Sequence, residues 1–136
     1  MDLLHYFNPV DFEKFACPEW ANKKYTLGSL LQKNQEKLKP EKADLLIIGV
    51  PEDRNSGFPG SATAPDEIRK HLYNLNRINA RFKVLDLGNL KIGNTANDSY
   101  FALRDICDHF LENHQKICVL GGSQDLTYGM TKAFDG

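Results

Sequence analysis

Three short, mostly apolar runs, each followed by a turn and a longer segment of mixed polarity, organise most of the chain. The run at residues 45–50 contains no charged residue and does not alternate with polar ones, which is typical of a strand covered on both faces. Further strands are predicted at residues 83–87, where Gly88 and Asn89 end the run, and at residues 116–120. Because helical segments separate the strands, the pattern predicts right-handed crossovers and a parallel sheet.

Each predicted strand leads into a predicted helix. Pro65 suits the first turn of the first helix, which follows a loop at residues 51–64. Asn97 or Asp98 is the predicted N-cap of the second helix, and residues 124–134 form the third. On the first helix the apolar stripe consists of Ile68, Leu72 and Leu75. On the second it consists of Leu103, Cys107, Phe110 and Leu111.

The first 43 residues have no sustained periodicity. Within residues 1–28 the aromatic side chains are Tyr6, Phe7, Phe12, Phe15, Trp20 and Tyr25. We expect an irregular arm that packs on the domain or on a neighbouring subunit. A short amphipathic helix is predicted around Leu30, Leu31 and Leu38, ending at Pro40. The predicted division is an arm with a short helix at residues 1–43, then an α/β domain at residues 44–136.

Composition and charge narrow the possible partners. The 136 residues include 17 Lys or Arg and 18 Asp or Glu, for a net charge of -1, which argues against nucleic-acid and membrane-surface binding. The apolar runs are too short to span a membrane, and the N-terminus lacks a secretory signal. Cys17, Cys107 and Cys118 form no CxxC pair, so we expect reduced thiols in a cytoplasmic protein.

Ligands of parallel sheets bind at the carboxyl ends of the strands, so the loops at 51–64, 88–95 and 121–125 are the predicted site. Neither GxGxxG nor GxxxxGK[ST] is present. The glycines of segment 57–60 serve either an anion site or a tight turn. His109 and His114 are too far apart around a helix to share an ion. Ser123 follows a strand but lacks the GxSxG context of a nucleophile, so no catalytic or cofactor-binding residue is assigned.

Two segments, with a third between them, resemble the ureohydrolase superfamily, the group of arginase, agmatinase and formimidoylglutamase. The first comprises Ile48 to Asp53, Asn55, Pro59-Gly60, Ala64-Pro65 and Ile68-Arg69; the second is 119–129; the third is Asp86-Leu87-Gly88-Asn89-Leu90. The motif positions within the loops are Gly49, Pro51, Asp53, Asn55, Gly60, Gly121, Gly122, Ser123 and Asp125.

The resemblance implies a three-layer α/β/α, arginase-like fold of which this chain holds about three βα units. It also implies, in active relatives, two Mn ions and a bridging hydroxide that attacks a guanidino or formimino carbon. Gln124 occupies the position of a His metal ligand, Ser123 that of an Asp and Asp125 that of a Ser. An amide supplies neither imidazole nor charge, so we expect that metal position to be weakened or lost. The family's other ligand motifs, Asp-x-His-x-Asp and Asp-x-Asp, are absent.

We therefore interpret the chain as the N-terminal part of a ureohydrolase-like protein whose relatives hydrolyse linear amidines of the formiminoglutamate, arginine or agmatine type. We expect the chain alone to be inactive and to bind no manganese. One alternative is a non-catalytic binding or interaction protein derived from that family, and another is an unrelated Rossmann-like nucleotide-binding domain. The expected partners are a second copy, through a sheet edge or the aromatic arm, and the C-terminal half of the parent.

Overall fold

A mixed β-sheet with helices on both faces forms the described part of the chain. The computed structural model describes residues 3–15, 23–33, 39–76 and 81–134. The strands are β1 (Phe7–Asn8), β2 (Gln32–Lys33), β3 (Leu45–Val50), β4 (Val84–Leu90) and β5 (Ile117–Gly121). The α-helices are α1 (Leu27–Leu30), α2 (Ala64–Leu72), α3 (Ala96–Glu112) and α4 (Leu126–Thr131). Each helix in these ranges is too short or too polar to cross a bilayer.

The three central strands are parallel, as predicted, and lie in the order β4, β3, β5. The arm adds two further strands to β4: β2 is parallel to it, but β1 is antiparallel, with Phe7 opposite Leu90. The prediction of a purely parallel sheet was therefore wrong at this edge. The predicted end of the second strand at Gly88 was also wrong. The strand continues to Leu90, and the register between β3 and β4 shifts between Ile47 and Gly49, which accommodates one extra residue in β4. Gly88 lies at this irregularity and has a φ of +93°, which glycine adopts without strain.

Side chains alternate between two apolar clusters on the two faces of the sheet, which confirms the three-layer arrangement. Leu46, Ile48 and Val50 of β3 pack with α3 and α4 on one face. Ile47 belongs to the other cluster, which includes Tyr73 just after α2 and residues of the N-terminal arm.

The aromatic arm packs on the domain, one of the two predicted arrangements. Phe12 stacks on Tyr73 with ring centroids 5.5 Å apart, and Phe15 meets the same ring edge to face. The helix predicted around Leu30 and Leu31 was wrong, because α1 ends at Leu30 and Leu31 is extended and buried before β2. Trp20, Leu38 and Cys17 lie outside the described residues. The boundary at residue 43 stays a prediction.

The start of α3 differs from the predicted one. Thr95 is the N-cap, and its side chain accepts a hydrogen bond from the Asp98 amide at 3.2 Å. The Asp98 carboxylate accepts one in return from the Thr95 amide at 2.8 Å. This reciprocal pair is a capping box, so Asp98 is the third residue of the helix and Asn97 lies inside it.

The buried face of α2 also differs from the predicted stripe. Ile68 and Leu75 are exposed, and Leu72 is half-buried. Arg69, within the helix, and Tyr73, which follows it, are buried against the sheet instead. The reason lies in β4, which presents a buried carboxylate to this face and so favours polar partners over apolar ones.

Candidate functional site

The three predicted loops meet at the carboxyl ends of β3, β4 and β5. The amide of Ser123, in the third loop, donates to the Glu52 carbonyl at 3.0 Å. Arg54 Nη1 donates to the Asn94 carbonyl of the second loop at 2.7 Å. The loop after β3 thus contacts both others, as expected from the common direction of the strands.

An ion pair between the buried Glu52 and the partly exposed Arg54 organises the first loop. Glu52 is 1% exposed, and its Oε1 accepts from Arg54 Nε at 2.9 Å while its Oε2 accepts from Nη2 at 2.5 Å. The Arg54 hydrogen bonds, opposed by burial, lower the pKa of Glu52 from 4.5 to about 2. Arg54 Nη2 also reaches Ser99 Oγ, at 3.3 Å, which ties the pair to α3. Arg54 was missed as a site residue, although its spacing of two from Glu52 was a usable signal.

A second buried network lies below the loops and contains motif residues of two segments. Arg69 Nε and Nη2 donate to the two Asp86 oxygens at 3.0 and 2.8 Å, and both side chains are fully buried. Tyr73 donates to the same carboxylate, and Arg69 Nη1 donates to Asn89 Oδ1 at 2.5 Å. Burial opposes the charge of Arg69, but Asp86 holds its pKa above the usual value.

Gly49 belongs to this second network because it leaves the space that the network fills. A Cβ atom at Gly49 would overlap Asn89 Oδ1 and lie 2.8 Å from Arg69 Nη1. These motif residues therefore act as scaffold beneath the loops.

A hydrogen-bond chain links the first loop, α3 and the third loop. Asn55 Nδ2 donates to the Tyr100 hydroxyl at 2.8 Å, and that hydroxyl donates to the Asp125 carboxylate. Burial, followed by the bond to Asp125, raises the pKa of Tyr100. Asp125 is thus oriented towards α3.

The third loop packs tightly on the first. Ser123 is buried, and both its amide and its Oγ lie within hydrogen-bond distance of the Glu52 carbonyl, at 3.0 and 3.1 Å. Gly122 lies against the Glu52 backbone, and Gly121 ends β5. Ser123 therefore stabilises the contact between the loops, and its hydroxyl is not exposed for attack on a substrate. Gln124, the next residue, is exposed at the tip of the third loop.

The remaining motif residues close the first loop on itself. Asp53 Oδ2 accepts from the amides of Gly60 and Ala62 at 2.8 and 3.2 Å. Gly60 has a φ of +106°, a conformation that glycine adopts without strain, and Pro51 starts the loop after β3. The segment 57–60 thus forms a tight turn anchored by a carboxylate.

The donor set of the described residues does not fit a manganese pair. Among them, no three His, Cys, Asp or Glu side chains lie close enough to hold one ion. Glu52 is engaged by Arg54, Asp125 by Tyr100, and Asp53 by backbone amides. Gln124, at the third-loop tip, offers only a neutral amide.

The Glu52 ion pair predicts a loss of stability in acid. Because the folded-state pKa lies below the usual value, its contribution is present above pH 4.5 and is lost as the pH falls towards 2. Between pH about 6 and pH about 3, the free energy of unfolding should fall by about 1–2 kcal/mol less in Glu52→Gln than in the unmodified chain. Urea unfolding at the two pH values measures this difference. Glu67→Gln, at an exposed residue of α2, is the matched control and should keep the full pH dependence. An unchanged pH profile in Glu52→Gln would contradict the assignment.

Comparisons with known proteins agree on one family. Residues 43–136 match the model of the Arginase family. A formimidoylglutamase of Salmonella paratyphi C is 37% identical over 78 residues, which cover 56% of this chain and 25% of that protein. The structure of Trypanosoma cruzi formiminoglutamase with Mn2+ superimposes with a TM-score of 0.68 at 26% identity, covering 79% of this chain and 39% of that one.

An agmatine ureohydrolase of Thermoplasma volcanium shares the fold, with a TM-score of 0.65 at 24% identity, covering 71% of this chain and 36% of that one. The chain thus spans about a quarter of the length of the curated relatives it matches.

Proposed function

This chain belongs to the arginase family, and on that basis we propose that it forms the N-terminal part of a hydrolase acting on carbon–nitrogen bonds of linear amidines. The observation that carries the proposal is the contact among three motif-bearing loops at one sheet edge, made through Glu52, Arg54 and Ser123. Among linear amidines we favour formiminoglutamate, because the relatives at 36–37% identity are formimidoylglutamases.

The role of this chain is to form one wall of the site. The networks around Glu52 and Asp86 fix the loops from below, and Asn55 and Asp125 are held on α3 through Tyr100. The resemblance implies that intact members hold manganese, which would activate a water molecule for the hydrolysis. In the described part of this chain, only Gln124 stands at a family ligand position with its side chain exposed. We therefore propose that this chain alone binds no manganese and has no activity.

We expect no turnover when the 136-residue chain is incubated with Mn(II) and formiminoglutamate, arginine or agmatine, assayed by release of formamide or urea. A full-length formimidoylglutamase in the same assay is the positive control. Turnover by the chain would refute its inactivity. In a longer protein containing this sequence, intact Asp-x-His-x-Asp and formiminoglutamate turnover would support the proposed activity, and inactivity despite those motifs would refute it.

A second candidate is a non-catalytic binding protein derived from the same family. It is favoured by Gln124 and by the internal engagement of Ser123 and Asp125. Binding of formiminoglutamate in calorimetry, by a longer protein that lacks the Asp-x-His-x-Asp motif and turns nothing over, would support it. The nucleotide-binding alternative has no comparable observation in its favour. Nucleotide binding in calorimetry, without a response to Mn(II), would support it.

The cytoplasmic location also remains a proposal. It is supported by free thiols at Cys107 and Cys118 within the described residues. Burial raises the pKa of Cys107 to about 11, which keeps that thiol protonated and unreactive.

A further inference from the structure

The N-terminal arm reaches the same sheet edge as the candidate site. β1 pairs in antiparallel fashion with the end of β4, where Phe7 lies opposite Leu90. The amide of the next residue, Lys91, donates to the Tyr6 carbonyl at 2.7 Å. Lys91 begins the part of the second loop that follows β4, so the arm contacts a loop of the site directly. The arm precedes the residues that match the family, 43–136, so its side of this contact comes from outside the matched region.

The arm is fixed to β4 by close backbone approach and by burial. A Cβ atom at Gly88 would lie 2.1 Å from the Asn8 carbonyl oxygen and 3.2 Å from Pro9 Cα, so a side chain there would push the arm away. Phe7 is 3% exposed and belongs to the apolar cluster that also contains the buried residues of α3. The arm therefore holds a defined position beside the second loop.

On its inner side the second loop is held by the first loop and by α3. The Gly93 amide donates to Ser99 Oγ at 3.2 Å, and Arg54 Nη1 donates to the Asn94 carbonyl at 2.7 Å. Arg54 Nη2 donates to the same Ser99 Oγ at 3.3 Å. The loop is thus bound by the arm at its first residue, and by Arg54 and Ser99 two to three residues later.

These contacts continue to the third loop, because Arg54 is bound to Glu52 and the Glu52 carbonyl accepts from the Ser123 amide at 3.0 Å. We propose that Tyr6 and Phe7 of the arm are positioning residues of the site. They set the second loop and, through Arg54, the contact between the first and third loops. The inference rests on the proposed function for the claim that this edge is a site, whereas the link between the arm and the loops is a property of the chain itself.

Hydrogen exchange of the unmodified chain tests the link without any substitution. If the arm and the loops form one unit, the amides of Lys91, Gly93 and Ser123 should open with the same free energy and the same dependence on denaturant. Opening of Lys91 that is separate from that of Gly93 and Ser123 would show that the arm detaches alone, and it would overturn the proposal.

Phe7→Ala and Phe15→Ala provide a matched pair of variants. Both remove a buried aromatic ring of the arm, but Phe15 packs in the cluster on the opposite face of the sheet. Relative to Ile106, a buried residue of α3, exchange at Gly93 and Ser123 should accelerate about tenfold in Phe7→Ala and stay unchanged in Phe15→Ala. Equal acceleration in the two variants would refute the positioning role. If Phe7→Ala does not fold, the exchange of the unmodified chain decides.

Activity separates this inference from the proposed function. In a longer protein that contains this sequence and hydrolyses formiminoglutamate, Phe7→Ala should lower kcat/KM about tenfold relative to Phe15→Ala, because the loops around the substrate are displaced. Equal kcat/KM values in the two variants would overturn the positioning role while leaving the proposed activity intact. A longer protein without turnover would refute the proposed activity, and the exchange measurements on the chain would still decide whether the arm positions the loops.

Discussion

Replacing Arg69 by methionine is expected to destabilise the fold by about 3–5 kcal/mol. The substitution removes the positive charge that neutralises Asp86, while both positions are fully buried between α2 and β4. It leaves the Asp86 carboxylate with the Tyr73 hydroxyl and the Gly88 amide as its remaining hydrogen-bond donors. It also leaves Asn89 Oδ1 without the donor at 2.5 Å that orients it. Urea unfolding at neutral pH measures the loss.

Lys70→Met is the matched control for this substitution. Lys70 is the next residue of the same helix, but it is exposed and pairs with Glu67 at the surface. Its replacement should change the stability by no more than about 0.5 kcal/mol. Arg69→Lys should fall between the two, because an ammonium keeps the charge but cannot make the forked contact with both Asp86 oxygens. Equal stability losses in Arg69→Met and Lys70→Met would show that the buried pair contributes nothing particular to the fold.

The same arginine explains why part of the fold could not be predicted from the sequence. Periodicity assigned Ile68 and Leu75 to the buried face of the first helix, since an apolar stripe normally faces the core. The helix instead turns Arg69 inwards, because Asp86, seventeen residues later on β4, supplies a buried partner. The hydrophobic periodicity of a single helix gives no information about a buried partner on a distant strand.

The strands were predictable to different degrees for a related reason. β3 and β5 are apolar runs of six and five residues, and β4 has apolar residues on both sides of Asp86, so each strand carries its own signal. β1 and β2 have only two residues each, and both are defined by their pairing with the edge of β4. Such short segments have no periodicity of their own. The N-cap of α3 was misplaced by two or three residues, since Thr95 and Asp98 both suit a cap and only their reciprocal bonds distinguish them.

The candidate site was located mainly through the resemblance, and the structure separates its residues into two groups. Gly49, Arg69 and Asp86 match the family pattern and lie in the buried scaffold. Gln124 and Asp125 depart from the pattern and lie at the rim of the third loop. Among the described residues, the buried charges of Glu52, Arg69 and Asp86 are each paired with another side chain of the protein.

The second large effect is expected for Gly122→Ala, which tests the contact between the first and third loops. A Cβ atom at position 122 would overlap the Glu52 carbonyl oxygen and lie 2.9 Å from its carbon. This obstacle is backbone of the first loop, two residues after β3, so it cannot move aside as a flexible side chain would. The loops must separate, and Ser123 then loses the Glu52 carbonyl as the acceptor for its amide at 3.0 Å and its Oγ at 3.1 Å. Overpacking and the lost bonds together should cost roughly 3 kcal/mol.

Gly57→Ala is the control for Gly122→Ala, because it adds the same methyl group in the same pair of loops. No atom lies within 4 Å of a Cβ at Gly57, and its backbone is not left-handed, so the alanine should be neutral or slightly stabilising. Urea unfolding compares the two variants, and hydrogen exchange at Ser123 reports the contact itself. Exchange at Ser123 should accelerate in Gly122→Ala and stay unchanged in Gly57→Ala. Unaltered protection of Ser123 in a Gly122→Ala protein of normal stability would mean that the third loop does not pack on Glu52. The proposed contact between the first and third loops would then be refuted.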